Sequence, residues 1–307
     1  MPNLPVLVAI LMLATSVRAQ SPALEGRPPN PLGRIPILEY HLIAEQDSRW
    51  GRARDGFRRD LELLYQRGYR PVTVAQVIDR RLDLPAGTSP VVFTFDDASP
   101  GQFRYIERDG HLEVDPESGV GIWLDFSARH PDWQLHATFC LLPAASAGHA
   151  FFGEKDIEGQ KTAWRFPKLR FLQEKGFELC AHTLWHANLS TLSDAGVQEQ
   201  IARSLLAIDS AVPGLRVRTF ALPLGIWPNN RQLAREGSWK DPRTGRVVTY
   251  RFDAILEVSG GAARSPGAPE FDPLRLPRIQ VIGNNLAREL DRLEKDRYVA
   301  AGSGPTR

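Results

Sequence analysis

Eight short runs of apolar, β-prone residues, separated by helical or loop-like stretches, constrain this chain more than any other feature. The runs cover 35–42, 69–73, 90–97, 135–142, 177–182, 218–223, 252–257 and 278–282. Between them, 55–68, 117–130, 165–176, 193–210 and 285–295 carry helical patterns. Leu61, Leu64 and Tyr65 recur at helical spacing, and Ser193-Asp194 and Asp115-Pro116-Glu117 are helix-start signals. Strands alternating with helices build a mainly parallel sheet. Val91-Val92-Phe93-Thr94-Phe95 is apolar at nearly every position, which suits a strand buried on both faces. The expected class is α/β, with the mainly parallel sheet curved into a barrel.

The 307 residues are 42% apolar and 24% charged, enough for a sizeable core. A net charge of +2 gives no pull toward nucleic acid or an anionic membrane. Residues 4–14 are apolar but too few to span a bilayer, and Val17-Arg18-Ala19 supplies small residues for a cleavage site. Residues 1–19 therefore read as a signal peptide, although no Lys or Arg precedes the apolar run. The expectation is a secreted or periplasmic protein with no stable membrane span in the mature chain. Residues 20–34 are rich in Pro and Gly and read as a linker, 35–295 as one catalytic domain, and 296–307 as a solvated tail. The stretches 98–116 and 226–251 are long for connections and read as lids or binding loops. Cys140 and Cys180 lie in apolar, strand-like runs. Export permits a disulfide, but two buried thiols are the expectation.

In α/β barrels functional groups gather where parallel strands end. One run ends in Asp96-Asp97, another in His182 with His186 four residues on, and the first near Tyr40-His41. On one helical turn His182 and His186 would share a face and converge on a metal. Asp97 would complete a three-ligand site with an open position, leaving Asp96 free as a general base. Either pair alone is more often structural; together at strand ends they are a much stronger signal.

These residues also carry a resemblance. Thr94-Phe95-Asp96-Asp97 and His182-Thr183-Leu184-Trp185-His186 resemble the first two motifs of the polysaccharide deacetylase family, carbohydrate esterase family 4, also called the NodB-homology domain. Phe220-Ala221-Leu222-Pro223-Leu224-Gly225 is similar to its third motif, Ile37-Leu38-Glu39-Tyr40-His41 to its first strand, and Leu276-Pro277-Arg278-Ile279 to a closing strand of some members. The resemblance spans roughly residues 35–290, with motif order and spacing kept. It implies a deformed (β/α) barrel and one divalent metal ion, usually zinc, held by Asp97, His182 and His186. It implies Asp96 as catalytic base, Pro223 and Leu224 lining the site, and the Leu224 backbone N–H on the oxyanion. The implied activity is removal of acetyl groups from a carbohydrate, most often N-acetyl groups of a polysaccharide or oligosaccharide.

The pattern departs in two places. Many members carry an Arg in the third motif that orients the base, where this chain has Ala221. Many also carry a late His as general acid, whereas all seven His here lie at or before residue 186. Arg278 can replace the first, since Arg pairs carboxylates bidentately, and His41 the second, since imidazole titrates near neutrality. Trp185 and Trp227 sit beside the motifs, and core packing is the expected role for each. Two alternatives stay open: a hydrolase of a small amide or ester on the same barrel, and a carbohydrate-binding protein without turnover.

Overall fold

In the computed structural model, residues 27–144 and 150–302 are described, so the expected signal peptide at 1–19 lies outside the described residues. All eight expected strands form: β1 Ile37–Tyr40, β2 Tyr69–Val72, β3 Ser89–Phe95, β4 Thr138–Leu141, β5 Glu178–Ala181, β6 Thr219–Ala221, β7 Ala254–Gly260 and β8 Leu276–Gln280. They make one sheet in the order β1-β8-β7-β6-β5-β4-β3-β2, and β1 also pairs with β3. Seven strands therefore close a barrel, every pairing parallel. β2 lies outside it, paired to the first half of β3 while β4 pairs with the end of β3. The register slips between Leu256 and Gly260 where β7 meets β8, so the barrel is deformed, as the motifs implied.

Strand side chains alternate between two faces, and this alternation positions the site. Ile37, Val92, Cys140, Cys180, Ala221, Leu256 and Leu276 belong to one small-residue cluster inside the barrel. Val91, Phe93, Phe95, Phe139 and Leu179 face outward into a larger aromatic layer beneath the helices. Two residues beyond the inner apolar positions come Glu39, Thr94, His182 and Arg278. The interior thus changes from apolar at the start of the strands to charged at their ends.

The helices are α1 Arg54–Gln66, α2 Val74–Ile78, α3 Gly119–Arg129, α4 Arg165–Glu174, α5 Asp194–Ala211 and α6 Asn285–Leu293. The Ser193 start signal acts as a cap, its side chain accepting from the Gly196 N–H at 3.2 Å; the third helix is capped not by Asp115-Pro116-Glu117 but by Ser118, which accepts from the Gly121 N–H at 3.2 Å. α2, only five residues and absent from the sequence expectation, plugs the start of the barrel. Its Val74 and Val77 join the inner cluster, and its Ala75 N–H donates to the partly buried Glu178 carboxylate at 2.9 Å.

Several expectations change. The stretch 98–116 contains the hairpin Tyr105–Arg108/His111–Val114, turned at Asp109-Gly110 with both residues at positive φ. The stretch 226–251 contains the hairpin Glu236–Lys240/Val247–Arg251. Residues 296–302 are not a solvated tail. Arg297 is buried with its guanidinium over the Tyr69 ring, and the Ala300 N–H donates to the Thr88 carbonyl at 2.8 Å. The described part of the linker, 27–34, pairs with this return: the Asn30 N–H donates to the Val299 carbonyl, and Gly33 lies so close that a Cβ would sit 2.4 Å from the Arg297 carbonyl carbon. Among the described residues no helix is long and apolar enough to cross a membrane.

Cys140 and Cys180 are bonded to each other, contrary to the expectation of two thiols. They are register partners on neighbouring strands, both facing the interior, with Cα atoms 4.2 Å apart. Denatured, unreduced protein is expected to show no thiol reactive toward Ellman's reagent. Two thiols per chain would contradict the bond.

Candidate active site

The charged end of the barrel begins with Asp96, which directly follows β3. It is buried, and its carboxylate receives two parallel hydrogen bonds from Arg278 on β8: Nη1 to Oδ1 and Nη2 to Oδ2, each 2.8 Å. Arg278 is also buried. It donates from Nε to the Glu257 carbonyl at 2.7 Å and from Nη1 to Thr94 Oγ1 at 3.0 Å. Its head is therefore fixed in the plane of the carboxylate, the fork geometry in which Arg binds an acid most strongly. Burial alone would raise the Asp96 pKa; the Arg278 guanidinium, helped by His182, holds it well below the usual carboxylate range. The position where the family motif leads one to expect an arginine is Ala221, and the arginine on Asp96 comes from β8 instead.

Asp97 and Ala98 both adopt left-handed backbone, φ 72° and 50°. Two successive non-glycine residues in that region are costly and occur where surrounding structure enforces them. The turn swings Asp97 Oδ1 to 3.4 Å from His182 Nε2 and 3.6 Å from His186 Nε2. The two histidines meet, but not on a helical turn. The chain leaves β5 through a turn with Thr183 and His186 at φ 66° and 62°, and the rings lie 5.0 Å apart. His182 Nδ1 donates to the Ala221 carbonyl at 2.9 Å, which turns Nε2 toward Asp97.

These residues fit a divalent metal. Asp97 Oδ1 and His182 Nε2 are buried with no hydrogen-bond partner among the described residues, a costly arrangement unless something else satisfies them. One atom each from Asp97, His182 and His186 lie within 4.8 Å of one another. A carboxylate with two imidazoles is a three-ligand set of the kind that keeps an open position. Burial and the neighbouring His182 lower the pKa of His186, favouring the neutral imidazole a metal needs.

His41 lies past the end of β1, with Nε2 3.5 Å from Glu39 Oε1. The Gln102 side-chain amide donates to the backbone carbonyls of both His41 and Asp96, tying the two strand ends together. Leu224 is half exposed in left-handed backbone at φ 59°, and Pro223 before it is buried. His41, Asp96, Asp97, His182, His186 and Leu224 all line one cleft of about 480 Å³, whose other walls include Leu42, Trp50, Leu222 and Val258. Arg278 lies behind Asp96 and Pro223 behind the wall.

Three residues of the site were missed in the sequence. Glu39 is a buried acid inside an otherwise apolar strand at the same parity as His41, a signal that was there to be read. Trp50 is 45% exposed with its ring 5.1 Å from that of His41. It arrives on a loop anchored by Arg52, which grips the buried Asp60 carboxylate at 2.8 and 2.7 Å. Neither Trp50 nor Gln102 carries a local signal. Trp185, expected in the core, is 50% exposed with the Arg203 guanidinium over its ring. Trp227 is partly buried and donates to Glu257 Oε1 at 3.3 Å.

A family model described as polysaccharide deacetylase matches residues 132–237, which include His182, His186 and the third motif but not Asp96 or Asp97. A search of curated proteins found no match. Among solved structures, the chain is similar to the Streptococcus pyogenes deacetylase PplD in complex with acetate, at TM-score 0.59 and 18% identity over 85% of this chain and 98% of that one. It is similar to the putative polysaccharide deacetylase BA0330 from Bacillus anthracis, at TM-score 0.58 and 15% identity over 85% and 69% of the two chains. It is also similar to IcaB from Ammonifex degensii, at TM-score 0.53 and 18% identity over 82% and 94%. The sequence match and the shared barrel agree with the motifs: over residues 132–237 this chain is similar to the polysaccharide deacetylase family, and its barrel is the one those structures share.

Proposed function

We propose that the chain is a metal-dependent carbohydrate deacetylase that acts on N-acetyl groups of a polysaccharide or oligosaccharide outside the cytoplasm, in a secreted or periplasmic setting. One observation carries this reading. A carboxylate–imidazole–imidazole set, with Asp97 Oδ1 and His182 Nε2 buried and unpartnered among the described residues, stands directly beside a buried carboxylate that an arginine keeps ionised and aimed. A binding protein without turnover has no use for that fourth group, and Arg278 supplies the base-orienting arginine whose absence from the third motif favoured such a reading.

What a divalent ion, expected to be zinc, supplies when held by Asp97, His182 and His186 is Lewis acidity toward the acetyl carbonyl and toward water. Asp96 takes a proton from the attacking water, and the Arg278 fork holds its carboxylate in position while it does so. The Leu224 backbone N–H, on the cleft wall, donates to the oxygen that gains charge as the carbonyl becomes tetrahedral. His41, on the opposite side of the cleft from the second motif, protonates the departing sugar nitrogen. The Trp50 ring and the aliphatic wall receive the apolar face of the sugar.

Acetate release by zinc-loaded protein from N-acetyl oligosaccharides and from O-acetyl esters tests the reading. Release that is highest on N-acetyl substrates and is lost on chelation supports it. Release from small acetylated amides alone would move the function to a small-molecule hydrolase. Trp50→Ala is expected to raise KM for an oligosaccharide about 3- to 10-fold, the worth of one aromatic contact, with a smaller change in kcat. A KM equal to wild type would remove Trp50 from the binding surface.

A further inference from the structure

Of the seven tryptophans, only Trp50 and Trp185 are exposed, at 45% and 50%. The other five are buried or partly buried. Both exposed rings stand at the charged end of the barrel. Trp50 comes on the loop after β1, with its ring 5.1 Å from that of His41. Trp185 comes directly after β5, between His182 and His186. Around the closed ring, β1 and β5 are three places apart one way and four the other, as far apart as seven strands allow. The two tryptophans therefore belong to opposite sides of the mouth. Strands about 4.8 Å apart and tilted about 40° close a seven-strand barrel about 14 Å across, wider than one sugar ring.

Trp185 sits on an anchored turn. The Ala144 N–H donates to the Leu184 carbonyl at 3.0 Å, and the Ala187 N–H to Thr183 Oγ1 at 3.3 Å. Leu184 is buried and packs the turn down, whereas Trp185 is turned outward. The Arg203 guanidinium lies over its ring at 5.7 Å and is itself bonded to Glu199 at 2.9 Å. Trp50 is held in the same way. The Leu42 N–H donates to its carbonyl at 2.9 Å, and Arg49 lies over its ring at 5.0 Å. A fold gains nothing from leaving half an indole in water. A rigid, exposed indole is a ready contact for a ligand with an apolar face, because little side-chain freedom is left to lose on binding. The cleft also continues past its walls. Leu42 is shared with a second hollow of about 580 Å³ beside Ser99 and Arg54, and Leu184 and Arg203 line a hollow of about 360 Å³ next to Trp185.

We propose that Trp185 is a sugar platform paired with Trp50, and that the substrate is a linear glycan lying across the mouth, so that the sugar losing its acetyl group has a neighbour on each side. The inference rests on the deacetylase reading and on Trp50 as a sugar contact. A sugar ring carries C–H groups on its face and hydroxyls at its edge. The face covers an indole while the edge stays in water. A long glycan reaches both rings with one acetyl group in the charged centre, whereas a short one reaches one ring at most.

The test is calorimetric binding of N-acetylglucosamine disaccharide and hexasaccharide, in β-1,4- and β-1,6-linked series, to zinc-loaded Asp96→Asn protein, in which turnover is blocked. The same protein carrying Trp185→Ala or Trp185→Phe is compared, with zinc counted by mass spectrometry. In at least one series the hexasaccharide should bind at least about tenfold tighter than the disaccharide. Trp185→Ala should weaken the hexasaccharide about 3- to 10-fold, the worth of one aromatic contact, and the disaccharide less. Trp185→Phe should keep most of the affinity. Adding Trp50→Ala should multiply the loss, because well-separated contacts contribute independently. Equal affinity for the two lengths in both series, equal weakening of both by Trp185→Ala, or loss of zinc from Trp185→Ala would overturn the platform, even where wild type releases acetate. Length-dependent binding that needs Trp185, with no acetate released by wild type, would leave the platform standing and overturn the deacetylase reading instead.

Discussion

Arg278→Met is expected to cost both activity and stability, because it leaves the Asp96 carboxylate buried with its counter-charge gone. Breaking a buried ion pair from one side typically costs about 3–5 kcal/mol, since the remaining charge keeps its desolvation penalty without its partner. The effect is enlarged here because the same guanidinium also faces Glu39 and bonds Thr94 and the Glu257 carbonyl. Chemical denaturation should show the lowered midpoint directly. In the fraction that stays folded, kcat should fall by about 10²-fold or more, as the base is no longer aimed at the water it deprotonates. Arg278→Lys restores charge but not the two-pronged grip, and should recover stability better than rate. A methionine variant with wild-type kcat would show that Asp96 is oriented by something else.

His182→Ala is expected to abolish tight binding of a divalent ion. Losing a mere supporting contact to a metal ligand costs about 10- to 100-fold in affinity, so loss of a ligand should cost more than about 10²-fold. His182 is the most constrained of the three groups, fully buried and fixed at Nδ1 by the Ala221 carbonyl. Calorimetric titration with zinc compares it with wild type and with His111→Ala, an exposed histidine on the first hairpin. Wild type and His111→Ala should bind one ion with the same affinity. A His182→Ala protein that binds zinc as tightly as wild type would place the metal elsewhere.

Much of this arrangement could be read in the chain because its signals are local. A strand alternates its faces every residue, so an apolar run ending in Asp96-Asp97 or in His182 announces both the strand and its polar end. Ser193 announces its helix by cap chemistry confined to four residues, whereas the helix expected from Asp115-Pro116-Glu117 is capped by Ser118 instead. The features that escaped depend on which strands become neighbours. Cys140 and Cys180 bond only because β4 and β5 pair with those two residues in register. The pairing of Arg278 with Asp96, 182 positions away, was expected as a replacement for the missing third-motif arginine, and closure of the barrel through β1 and β8 brings the two together. Trp50 reaches the cleft through the long-range anchorage of Arg52 to Asp60. The hairpin at Asp109-Gly110 was legible and was passed over, because a polar stretch of that length reads first as a loop.

The central claim is that one metal held by Asp97, His182 and His186, with Asp96 as base, releases acetate from a sugar amide. Acetate release from an N-acetyl oligosaccharide, measured for zinc-loaded wild type beside zinc-loaded Asp96→Asn of equal metal content, tests it most directly. The account predicts steady release by wild type and a loss of about 10²- to 10⁴-fold in the variant with zinc still bound. An Asp96→Asn protein that releases acetate at the wild-type rate would contradict it.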